Sequence, residues 1–80
     1  MSLRLKPSLS IDARGYMCPY PIILLSFSIK NVNVGDVVEI KATDPAFERD
    51  VVSWASETGH EILELNKSNE EIVALIRRVR

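Results

Sequence analysis

The chemistry in this sequence concentrates in one stretch, Arg14-Gly15-Tyr16-Met17-Cys18-Pro19-Tyr20-Pro21. Cys18 is the only cysteine of the 80 residues, and His60 the only histidine. A thiol reacts as its thiolate, and a helix N-terminus stabilises that anion through its dipole and free amides. Pro19 and Pro21 read as the first turn of a helix, where a missing N–H has no intrahelical partner to lose. They also stiffen the approach to the helix and aim Cys18 outward. Gly15 provides a sharp turn before it. Arg14 is near enough in sequence to add positive charge at the sulfur, although the sequence does not give its direction. Asp12 is placed to brace the loop by accepting hydrogen bonds from backbone N–H groups. The competing reading of Cys18 is a small buried core residue. The flanking glycine and paired prolines, which put it on a strand-to-helix loop, favour a working thiol.

The elements that must position this loop follow from periodicity. Leu9, Ile11 and Ala13 alternate, which predicts a short strand over 8–13. Ile22, Leu25, Ile29 and Val32 recur at helical spacing, which predicts a helix over 19–31. Asn31 to Asp36 then turns, and Val38, Ile40 and Ala42 alternate along a second strand over 37–42. Asp44-Pro45 has the form of a helix start, an N-cap acceptor followed by proline. Phe47, Val51, Trp54 and Ala55 form the apolar stripe of a helix over 45–58, and Gly59 fits its left-handed C-terminal cap. Residues 60–66 read as a third strand, and 67–69 as a turn. The segment from Glu70 to Arg80 is ambiguous, with helix-favouring residues on a pattern that also fits a strand. With a strand there, the order is β-α-β-α-β-β. One core is all that this length allows, so both helices must share one face of a small sheet, a two-layer α/β sandwich.

Composition excludes other classes. At 46% hydrophobic and 26% charged, the chain is a single small domain rather than a disordered tail. One cysteine allows no internal disulfide, and with one histidine it offers too few ligands for a closed zinc site. A formal net charge of −1 gives no electrostatic case for nucleic acid. Arg77, Arg78 and Arg80 read as solvated surface. The apolar run Pro21–Leu25 is too short to span a bilayer, and the first residues have no signal-peptide pattern. The expectation is a cytoplasmic protein with a reduced cysteine and a loosely ordered segment over 1–7.

The stretch Asp12 to Pro21, with its Cys-Pro-x-Pro pattern, resembles the TusA/SirA-like sulfur-carrier family. The resemblance continues through Gly35-Asp36, Thr43-Asp44-Pro45, Arg49-Asp50, Trp54 and Thr58-Gly59-His60-Glu61, covering about residues 8–79. It implies an α+β fold, with two helices on one face of a four-stranded mixed sheet and the last segment a strand. It also implies that Cys18 accepts a sulfane sulfur as a persulfide, or carries thiosulfate, and passes it to a partner protein. No cofactor or metal is implied. The implied partners are sulfur donors and acceptors of the cysteine desulfurase, rhodanese-like or DsrE-like kinds, serving tRNA thiolation, cofactor synthesis or sulfur oxidation. A single exposed thiolate suffices for such exchange, and a helix N-terminus suits an anionic adduct.

The first helix departs from the family. Many relatives carry several basic residues on its outer face, where this chain has Ser26-Phe27-Ser28 and only Lys30 is basic. At 100° per residue, Ile22, Leu25 and Ile29 face the sheet, while Ile23, Leu24 and Phe27 point away. With Tyr20 they form an expected apolar patch beside Cys18, suited to partner docking. The alternative function is a regulatory or protein-binding module that uses this face and has a structural Cys18. Trp54 reads as core, with an N–H in need of one partner. His60 reads as structural. Arg49 and Asp50 fit either a surface pair or a brace for the Cys18 loop.

Overall fold

The computed structural model describes residues 6–80. The elements run β1 (Leu9–Ala13), α1 (Tyr20–Ser28) with a 3-10 turn (Ile29–Asn31), β2 (Val37–Ala42), α2 (Phe47–Thr58), β3 (Glu61–Ser68) and β4 (Glu71–Arg77). The architecture is the expected α+β arrangement, and the ambiguous last segment is a strand. The expectation of loose order over 1–7 falls mostly outside the described residues.

The sheet order is β1-β2-β4-β3. β1 and β2 pair in parallel, with Ala13 opposite Ala42 at their C-terminal ends. β4 runs antiparallel to both of its neighbours and lies between β2 and β3. Alternation sends Val38, Ile40 and Ala42 from β2 and Ile72, Ala74 and Ile76 from β4 to one face. Leu25 and Ile29 from the first helical segment, and Phe47, Val51, Trp54 and Ala55 from α2, complete a single buried cluster on that face. Both helices therefore lie on one side of the sheet.

Three boundaries differ from the sequence reading. Pro19 caps α1 rather than opening it, and Pro21 occupies an early position where its missing N–H is harmless. α2 begins at Phe47, because Asp44 and Pro45 form a preceding turn in which the Phe47 N–H donates to the Asp44 carbonyl at 2.9 Å. β3 extends to Ser68, and the turn comprises Asn69 and Glu70, both with positive φ, as a two-residue hairpin of twisted strands requires.

Two other features depart from simple patterning. β3 shifts register between Ile62 and Glu64, so that Ile62 and Leu65, three residues apart, both pack against the core. Arg78 is not merely solvated. Its guanidinium donates to the Val32 carbonyl at 2.6 Å, and its backbone pairs with Gly35 and Asp36. It thus ties the end of the first helical segment to the end of the sheet. Gly35 turns there with φ of +96°.

Candidate functional site

Because β1 and β2 are parallel neighbours, the loops leaving their C-terminal ends emerge side by side. Loop 14–19 leads into α1, and loop 43–46 leads into α2. The two are stitched together. The Gly15 amide donates to Thr43 Oγ1 at 2.9 Å, and the Cys18 amide donates to Asp44 Oδ2. The other oxygen of Asp44 accepts from the Ala46 amide at 3.1 Å. Asp44 is therefore not a helix N-cap, as the sequence suggested. It sits short of the cap and holds the turn before α2 against the Cys18 loop. Gly15 makes the turn possible with φ of +87°, a backbone conformation that side chains disfavour.

Cys18 is an exposed free thiol joined to Pro19 by a cis peptide bond. Its Sγ–H donates to Asp50 Oδ2 at 2.9 Å. Asp50 stands in the first turn of α2, where a carboxylate is favoured by the helix dipole. This contact settles the open reading of Asp50: it reaches the sulfur itself. It also reverses the expectation of a stabilised thiolate. The Asp50 carboxylate, as hydrogen-bond acceptor, pushes the Cys18 thiol above its ordinary range, with desolvation and the charges of Asp50 and Asp44 adding to the effect. The α1 terminus offers little in return. Pro21 has no N–H, and the Tyr20 amide is used by the Met17 carbonyl at 2.9 Å.

Arg14 does not serve the sulfur either. Its guanidinium binds both oxygens of Asp12, at 2.9 Å each, and reaches Glu71 at 3.2 Å. The Arg14 amide donates to Asp12 Oδ1, so Asp12 does brace the loop, at its first residue. These contacts hold the Asp12 carboxyl down at about 2. The cation that opposes the rise at Cys18 is Arg49.

Around the thiol, Cys18, Pro19, Ile22, Asp50, Ser53, Trp54 and Glu57 line an open groove between α1 and α2. Beyond its rim the surface is apolar. Met17 is 74% exposed, Phe27 68%, Tyr20 45% and Ile23 42%. Tyr16 and Tyr20 pack ring against ring at 4.7 Å. Leu24, expected to point away, is instead half-buried against the core, because it lies only about 100° round the helix from the buried Leu25, on the flank opposite Ser26 and α2. Trp54 is buried, and its Nε1–H donates to Ser26 Oγ at 2.9 Å, joining the two helices. His60 accepts the Val79 amide on Nδ1 at 3.1 Å and packs on Trp54, a structural position. Among the described residues no helix is long and apolar enough to cross a membrane.

The site is thus an exposed thiol on the loop that leads into α1, over an open groove, in an α+β fold with apolar side chains exposed on α1. A family model described as "Sulfurtransferase TusA" matches residues 9–78, and the chain belongs to that family. The sulfur carrier protein TusA of Pseudomonas putida is 31% identical over 90% of this chain and 90% of its own length. A relative in Archaeoglobus fulgidus is 31% identical over 88% of this chain and 96% of its own. One in Aquifex aeolicus is 33% identical over 91% of this chain, which spans only 37% of that protein. A SirA-like protein from Desulfitobacterium hafniense shares the fold, with a TM-score of 0.77 at 24% identity over 90% of this chain and 99% of its own.

Proposed function

We propose that this chain, acting as one domain, holds a sulfane sulfur on Cys18 Sγ as a persulfide and relays it to a partner protein. The observation that carries this reading is the exposed Cys18 thiol at the mouth of an open groove, in a chain with no second cysteine to discharge a persulfide internally. Thiosulfate carried on the same sulfur is the variant cargo. Donors and acceptors are themselves thiol proteins of the cysteine desulfurase, rhodanese-like or DsrE-like kinds. The acting compartment is the cytoplasm, where the thiol stays reduced between transfers. Gly15, Pro19 and Pro21 shape the loop, while Asp12 and Arg14 brace it from the β1 side. Tyr20, Ile23 and Phe27 form the docking rim, with Leu24 supporting it from below.

Incubation with a polysulfide donor followed by intact-mass measurement tests this. The wild type gains sulfur mass and Cys18→Ala gains none. A wild type that stays unmodified under every donor defeats the reading. The exposure of Phe27 and Ile23 supports a second reading, a binding module in which Cys18 is structural. Under that reading Cys18→Ala keeps partner binding and Phe27→Asp abolishes it, with no sulfur gained by either protein.

A further inference from the structure

We propose that Asp50 is a catalytic residue of the sulfur relay, taking the Cys18 proton as sulfur arrives and returning it as sulfur leaves. The inference rests on the persulfide reading above. Its basis is geometric. The Asp50 carboxylate is within hydrogen-bond reach of the atom that must lose and regain a proton, at 2.9 Å from Cys18 Sγ. Asp50 is half-buried and fixed on the first turn of α2, while the Cys18 backbone is tethered to Asp44. Donor and acceptor therefore stand on two elements locked together, rather than meeting by chance on a mobile surface.

The other charged groups around the sulfur have different positions. Asp44 lies on the loop before α2, with its oxygens on backbone amides. Arg49 acts on the thiol through charge alone. Glu57 lines the groove one helical stretch further on. Tyr20 flanks Cys18 from α1, with its ring on Tyr16. A site built only to keep a standing thiolate has no use for a carboxylate at the sulfur, since that anion opposes ionisation. A proton acceptor that acts only during transfer does have one. At rest the sulfur stays a thiol, poorly reactive toward stray electrophiles.

In loading from a persulfide R–S–SH, Cys18 Sγ bonds to the outer sulfur and the donor S–S bond breaks, with its electron pair leaving on R–S⁻. The Sγ proton passes to Asp50 Oδ2 and on to R–S⁻, giving Cys18–S–SH and R–SH with no net oxidation. In delivery the acceptor thiol gives its proton to Asp50 and attacks the outer sulfur. Sγ leaves and takes the proton back.

Two rates separate this role from a simple influence on thiol ionisation. Iodoacetamide reports the thiolate, and cysteine persulfide, followed by intact mass, reports sulfur loading. Asp50→Asn raises the alkylation rate at neutral pH, because the opposing charge is gone. The ratio of loading rate to alkylation rate falls by about tenfold or more, the lower edge of what a positioned base contributes. Asp50→Glu recovers part of that ratio, and Asp50→Ser replaces Asn if that variant fails to fold by circular dichroism. A ratio unchanged in the neutral variants overturns the proposal while leaving the carrier reading intact. Failure of the wild type to load sulfur overturns the carrier reading instead.

Discussion

Asp44→Ala isolates the joint between the two loops of the site. Its carboxylate accepts from the Ala46 amide at 3.1 Å with one oxygen and from the Cys18 amide with the other. The Ala46 contact is a side-chain bond to the amide two residues on, in the turn before α2, and its loss costs about 1 kcal/mol. The Cys18 contact is exposed, so water replaces part of it, and its loss costs about 1 kcal/mol net. The sum is about 2 kcal/mol. A domain of this size loses roughly 4–8 °C of Tm per kcal/mol, so the variant should melt about 8–16 °C below the wild type. Asp44→Asn keeps one acceptor oxygen and should recover about half of that loss. Thermal unfolding followed by far-UV circular dichroism measures all three proteins. Hydrogen exchange at the Cys18 amide gives a local readout, since that amide should exchange faster in Asp44→Ala. A Tm for Asp44→Ala within about 2 °C of wild type would refute the reasoning, as would unchanged exchange at Cys18.

Other outcomes follow from the same structure. Phe47, 1% exposed at the start of α2, anchors that helix in the core; Phe47→Ala should destabilise by about 3–5 kcal/mol in urea titration. Arg78→Ala removes a charged donor from the half-buried Val32 carbonyl and should cost about 1.5–3 kcal/mol, while Arg78→Lys recovers little because an ammonium cannot reproduce the guanidinium geometry. Asp12 should titrate by NMR near 2 and higher in Arg14→Gln, where the residue-14 amide still holds it below its ordinary value. Because its folded-state value is depressed, the stability it contributes is present above the ordinary carboxylate range. That stability is lost as pH falls through about 2.

Much of the fold was legible because the apolar residues keep time with their elements. Leu9, Ile11 and Ala13 alternate, the Phe47-to-Ala55 stripe has helical spacing, and Gly59 closes α2 with φ of +86°. β3 shows where this fails. Ile62 and Leu65 cannot share a face of a regular strand, and only the bulge between Ile62 and Glu64 brings them together. A backbone irregularity of this kind leaves no mark on period-two patterning. The site was half legible. Cys18, with its glycine and prolines, stood out as a loop thiol, but the groups acting on it lie 26 and 32 residues away in sequence. Their proximity comes from the parallel pairing of β1 and β2, a long-range fact that local patterns do not carry. Arg14 misled for the opposite reason. Its nearest opposite charge, Asp12, is only two residues away and captures it before it can reach the sulfur.

The insertion of β4 between β2 and β3 has a consequence for the order in which the molecule can assemble. β3 pairs with β4 alone, so it has no sheet partner until residues 71–77 exist. β1, β2 and both helices precede β4 in the chain, yet β4 is the strand that joins β2 to β3. Without β4 the β2 edge is unpaired and the shared core lacks Ile72, Ala74 and Ile76. Pairing of β2 with β4 joins residues far apart in the chain, such as Val37 and Arg77, and long-range contacts of this kind form slowly. The Cys18 loop, though early in the sequence, is tied to β4 as well, because Arg14 at its start donates to Glu71.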